Sequence, residues 1–126
     1  LKPIDQTVFG EKGDCFEACL ASILEIPLEV IPVFKESDWF KRVNEWLVTR
    51  GLFYIEVRFD EEAINLMKKF MGYHLMCGVA ERGLHHAVVG FKGDVVHDPH
   101  PSKAGFPPEA SLTYGFLIPL WEKGSL

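Results

Sequence analysis

Gly13-Asp14-Cys15-Phe16-Glu17-Ala18-Cys19-Leu20-Ala21-Ser22-Ile23-Leu24 is the stretch on which the fold turns. It reads as a helix whose first residue is a cysteine. Asp14 is a residue type favoured at N-caps, and Glu17 three residues on completes a capping-box pattern. Ala18, Leu20, Ala21, Ile23 and Leu24 leave few polar positions, which predicts a mostly buried helix. Pro27 is expected to stop it. A thiol at the first helical position lies at the positive end of the helix dipole, beside backbone N–H groups without helical partners. Both favour the thiolate, the reactive form. Asp14 and Glu17 act the other way, so activation needs a base from elsewhere in the chain. The plainer use of a cysteine in an apolar helix is as a small core hydrophobe, and Cys19, one turn on, reads that way.

Outside this helix the composition sets bounds. The chain has 126 residues, 48% hydrophobic and 25% charged, which suits one globular domain over 1–126 with a proper core. A net charge of −5 does not favour a nucleic-acid surface. Three cysteines without framework spacing point to a reducing compartment, and hence to a cytoplasmic location. No apolar run is long enough to span a bilayer, so neither a membrane partner nor coupling to a transporter is expected.

Residues 1–12 read as an extended arm ending in a Gly10–Gly13 loop, with Gln6 as a lone polar amide. Asp38 is expected to cap a second helix over 39–50, stopped by Gly51, and Asp60 a third over 61–71. Aromatic and β-branched runs predict strands over 52–59, 73–80, 85–91, 95–98 and 114–121. Helices come first and most strands later, so the fold class is α+β with a mainly antiparallel sheet.

Four of the five histidines fall between His85 and His100. Side-chain faces alternate along paired strands, so the turn of the 85–98 hairpin decides which residues meet. A two-residue turn at Lys92-Gly93 turns Asp98 away from His86. A three-residue loop, residues 91–93 with Gly93 at positive φ, pairs His86 with Asp98. Lys-Gly is not a preferred two-residue turn, so the three-residue loop is expected. A carboxylate opposite a histidine fixes the imidazole tautomer and stabilises the imidazolium.

A cysteine opening an Ala-rich helix, followed late in the chain by His-x-Val-Val and Asp-Pro, resembles the papain-like cysteine peptidases. The similarity is strongest to the branch that removes double-glycine leader peptides from bacteriocins. Asp14-Cys15 and Ala18-Cys19-Leu20-Ala21 match the cysteine helix, His86-Ala87-Val88-Val89 the histidine strand, and Asp98-Pro99 the orienting acid. The resemblance runs from Gln6 to Asp98. It implies a papain-like fold, a bacterial or phage setting, a peptide or protein substrate, no cofactor and no metal. It also implies acyl transfer by Cys15, with His86 as base, Asp98 as its orienting acid and Gln6 as an oxyanion-hole amide. Two features depart from the family pattern. Phe16 stands where the family has Gly, and residues 10–13 lengthen the path from Gln6 to Cys15. The loop over 99–108 leaves directly from Asp98 and is expected to border the site, with His97, His100 and Ser102 as candidate rim residues.

Two other classes compete. His85, His86, His97, Asp98 and His100 include zinc-ligand types, though not at a zinc-site spacing. A non-catalytic binding domain on the same fold is the other, with Trp39, Phe40 and Trp46 as candidate anchors.

Overall fold

The computed structural model describes residues 1–121. The described residues form three helices, α1 (Cys15–Leu24), α2 (Trp39–Val48) and α3 (Glu61–Met67), with a short 3-10 turn at Leu28–Val30. Five strands follow the first two helices: β1 (Leu52–Val57), β2 (Tyr73–Val79), β3 (His85–Phe91), β4 (Asp94–His97) and β5 (Thr113–Pro119). They form one sheet in the order β1-β5-β2-β3-β4, every neighbouring pair antiparallel. The fold class is therefore α+β. No helix among the described residues is long and apolar enough to cross a membrane.

Alternation along the central strands divides the core between two faces. Leu75, Ala87 and Val89 point to the side where Cys19, Leu20 and Ala21 of α1 pack with Val43 and Leu47 of α2 and Tyr54 of β1. Met76, Val88 and Tyr114 point to the other side, against Ile64 and Met67 of α3, Met71 and Phe106. Residues 86–90 of β3 are consequently buried throughout. Tyr54 lies across β5 so closely that a Cβ on Gly115 would fall 2.2 Å from its hydroxyl, so that position admits only glycine.

The helix ends differ from their sequence reading. Asp14 makes no side-chain cap on α1. Its carboxylate instead accepts from the backbone N–H groups of Thr7 and Val8 and from the Thr7 hydroxyl, at 2.7–2.9 Å. Three donors from the arm outcompete the helix's own N–H groups. Glu17 closes no capping box either, because it is drawn to Lys35 at 2.8 Å. α1 ends before Pro27, at a left-handed Glu25. Asp38 likewise caps nothing and pairs with Arg42, whereas Asp60 does cap α3 through Ala63 N–H at 2.7 Å.

The β3–β4 hairpin corrects the expected loop. Phe91 pairs with Asp94, so the turn is two residues, Lys92-Gly93, with φ of 52° and 82°. Both positive values make it a type I′ turn, in which Lys92 carries a strain of roughly 1–3 kcal/mol. Contacts from outside the hairpin hold it: Lys92 N–H donates to the Met71 carbonyl at 3.0 Å and Gly93 N–H to His74 Nε2 at 3.2 Å. Parity is then restored by a bulge. Gly90 pairs with Val95 but Val89 with His97, so Val96 is an extra residue. The bulge reverses the faces beyond it. Continued one residue past the strand, this register sets Asp98 opposite Val88, on the His86 face and diagonal to His86.

Candidate active site

Cys15 is the first residue of α1, half-buried, and borders a cleft of about 740 Å³ between the α1 end and the sheet. His86, the second residue of β3, borders the same cleft from the sheet side. Its Nε2–H donates to Asp98 Oδ1 at 2.7 Å, in a pair whose side chains are 2% and 3% exposed. Cys15 faces His86 across this cleft, near enough to be among the groups that raise the imidazole's pKa. With Nε2 committed to Asp98, Nδ1 is the nitrogen left to exchange a proton with sulfur.

Asp98 is held from several directions. His100 N–H donates to Oδ1 at 2.9 Å and Gly105 N–H to Oδ2 at 2.7 Å, while Lys103 Nζ holds the Asp98 carbonyl at 2.8 Å. The loop after β4 thus folds back around the carboxylate. Burial pushes Asp98 upward, but the His86 bond and the two backbone N–H groups outweigh it and bring the carboxyl to about 2. Burial pushes His86 down. The bond to Asp98 and the nearness of Asp98 and Cys15 outweigh that, lifting the imidazole to about 9. At neutral pH the site holds a carboxylate and an imidazolium.

The other two thiols are of a different kind. Cys19 is fully buried and pushed well up by desolvation. Cys77 faces the cleft from β2 and is pushed up to about 12, by burial first and then by the charge of Glu56.

The remaining sequence candidates fall in several places. Gln6 is 7% exposed and its Nε2 donates to the Val8 carbonyl at 2.8 Å. It lies over Gly13, where a Cβ would come within 3.2 Å of Nε2, and its Oε1 is buried without a partner. Its backbone N–H is tied to the Pro99 carbonyl at 3.0 Å, which places it between the Cys15 and Asp98 segments. His97 is not a rim residue. It is 8% exposed and Nε2 donates to the Ile4 carbonyl at 2.7 Å, fastening the arm to β4. His100 stands edge-on to His86 at 6.1 Å and bonds Ser102 Oγ through Nδ1 at 2.8 Å. Neither His100 nor Ser102 borders the cleft; the 99–105 loop reaches the site through its bonds to Asp98. No group of three or more His, Cys, Asp or Glu among the described residues is placed to hold a metal.

Sequence reasoning missed Phe34 and Lys35 in the far wall of the cleft, where they stand with Phe16 and with Trp39, one of the three candidate anchors. Phe16 packs edge-to-face on Phe34, Trp39 and Tyr54 at 5.3–6.4 Å. One signal was available: a glutamate on an otherwise apolar helix needs a cation, and Lys35 is the first one after the helix. No family model, curated protein or solved structure matches the chain.

Proposed function

We propose that the protein is a thiol-dependent hydrolase or acyl transferase, acting on a peptide, isopeptide or amide bond, with the papain-like arrangement that its sequence resembles. The observation carrying this reading is the order Asp98–His86–Cys15 at the edge of an open cleft. Cys15 Sγ attacks the substrate carbonyl carbon while His86 Nδ1 holds the thiol proton. The tetrahedral adduct collapses as that proton passes to the leaving amine, which departs and leaves a thioester on Cys15. A water molecule or a second amine, deprotonated by His86, then attacks the thioester and returns the free thiol. Asp98 keeps Nε2–H in place and stabilises the imidazolium. The Cys15 backbone N–H has no helical acceptor to donate to and supplies an oxyanion donor; Gln6, to which the resemblance assigns the second donor, is buried behind Gly13 and does not border the cleft. Free thiols suit a reducing location.

The test uses p-nitrophenyl acetate as a generic acyl donor. The expected result is an acetyl adduct on Cys15, formed with release of p-nitrophenolate and absent from His86→Ala. An unacylated Cys15 in folded protein would overturn the reading and leave a peptide-binding domain.

A further inference from the structure

We propose that the Lys35–Glu17 ion pair is a positioning device for Cys15. Lys35 cancels the carboxylate buried in the first turn of α1 and ties the chain on both sides of the thiol to the far wall of the cleft. The proposal rests on Cys15 being the nucleophile.

The geometry is compact. Glu17 is two residues after Cys15, and its side chain is 2% exposed. Lys35 Nζ reaches Glu17 Oε1 at 2.8 Å and Oε2 at 3.4 Å, and it also donates to the carbonyl of Gly13, two residues before Cys15. One ammonium therefore holds the backbone leading into the thiol and the side chain just beyond it. Lys35 belongs to the segment joining the 3-10 turn to α2. Its neighbours Phe34 and Trp39 form the cleft wall, so the same bonds fix that wall relative to Cys15.

A buried carboxylate without a partner is costly, and a second negative charge beside a thiolate opposes it. The arm already takes up Asp14, the other acid at this helix end, through Thr7 and Val8. Glu17 has no such backbone donors from the arm. Burial pushes its carboxyl up, Lys35 pulls it back, and Asp14 adds to the upward push. The other titratable or charged groups bordering the cleft are His85 and His86 from β3, Cys77 from β2, Glu56 from β1, and Glu11, Glu36 and Arg58 from the loops. The variants below leave all of these in place.

The test measures iodoacetamide alkylation of Cys15 against pH, read by mass spectrometry of the Cys15 peptide. Lys35→Met should displace the profile to higher pH by roughly one unit. Glu17→Gln leaves the ammonium unopposed and should displace it to lower pH. The double variant should return close to the native profile, and Lys35→Arg should keep it. A purely structural contact gives no such opposite displacements. If Lys35→Met does not fold, Glu17→Gln and the double variant still decide. Unmoved profiles in the folded variants, or displacement of both single variants in the same direction, would overturn the proposal. His86→Ala separates the two readings. If it leaves alkylation unchanged, the nucleophile assignment fails. If it slows alkylation while the Lys35 and Glu17 variants do nothing, only the positioning role fails.

Discussion

Two buried histidines lie on adjacent strands, and their neighbours have taken them in opposite directions. His74 on β2 is 1% exposed, stacks against Tyr114 and Phe116 at 5.6 and 5.9 Å, and has no carboxylate beside it. Its Nδ1–H donates to the Leu75 carbonyl at 3.3 Å, and its Nε2 accepts from Gly93 N–H at 3.2 Å. An accepting nitrogen has no proton, so this ring is neutral, and burial pushes its pKa down. His86 on β3 is 4% exposed yet stays charged, because a buried carboxylate sits on Nε2. Burial alone discharges an imidazole; a carboxylate fixed in the same dry place reverses the outcome. The two sites are also linked mechanically. His74 holds the Lys92-Gly93 turn from which β4 starts, and the bulge at Val96 then delivers Asp98 to His86.

Losing the carboxylate breaks the comparison most directly. Asp98→Ala leaves His86 buried with no carboxylate beside it, a second His74, and the ring should discharge as His74 does. Acylation of Cys15 by p-nitrophenyl acetate should be lost, as in His86→Ala, where the rate should fall at least about 10²-fold. Asp98→Asn should lose less, because the amide oxygen can still accept from Nε2–H. His97→Ala should leave the rate close to native, since His97 holds the arm rather than the cleft. Activity surviving Asp98→Ala would mean that the carboxylate does not set the site.

The pH dependence of stability sharpens the comparison, because the two rings act with opposite sign. His86 is raised from an ordinary 6.5 to about 9. Between those values the folded state binds a proton that the unfolded chain has lost. Its contribution is therefore full below about pH 6.5 and disappears as pH rises through 9, on the order of 3 kcal/mol in all. His74 is lowered, so below about pH 6.5 the unfolded chain binds a proton that the folded state refuses, and stability falls with pH. Urea titrations across pH should show Asp98→Asn flattening the alkaline slope, and His74→Phe flattening the slope below about pH 6.5. One variant altering both slopes would show that the rings are not independent.

Much of this was legible in the residues themselves. Strand runs, the α+β order and a thiol at the start of α1 follow from local pattern, and the Cys19–Ala21 face packs as its composition indicates. The Asp60 cap was read correctly, but the capping of α1 was misread because a carboxylate takes the best donors in space. Thr7, Val8 and Lys35 reach Asp14 and Glu17 from outside the local sequence. The hairpin shows the same limit more sharply. The face of Asp98 was read correctly, but through a three-residue loop that does not exist. The turn is set by Met71 and His74, some twenty residues upstream, and parity is recovered by a bulge that nothing in Asp94-Val95-Val96-His97 announces.

The smallest effect tests how that turn is held. Lys92 has φ of 52°, a left-handed conformation that costs an L-residue energy and glycine almost none. If the turn is fixed by its backbone donors to Met71 and His74, the lysine side chain is a passenger there. Lys92→Gly should then relieve strain while the more flexible unfolded chain takes back part of the gain, for a net stabilisation below about 1 kcal/mol. Gly93→Ala should do the reverse. Its φ is 82°, and a Cβ there would come within 2.6 Å of the Lys68 side chain. The two substitutions, compared by urea midpoint, separate backbone strain from side-chain contact at adjacent positions. A destabilised Lys92→Gly would show that the stem of Lys92 over the Phe91 ring, and not the His74 side of the turn, keeps the hairpin in register.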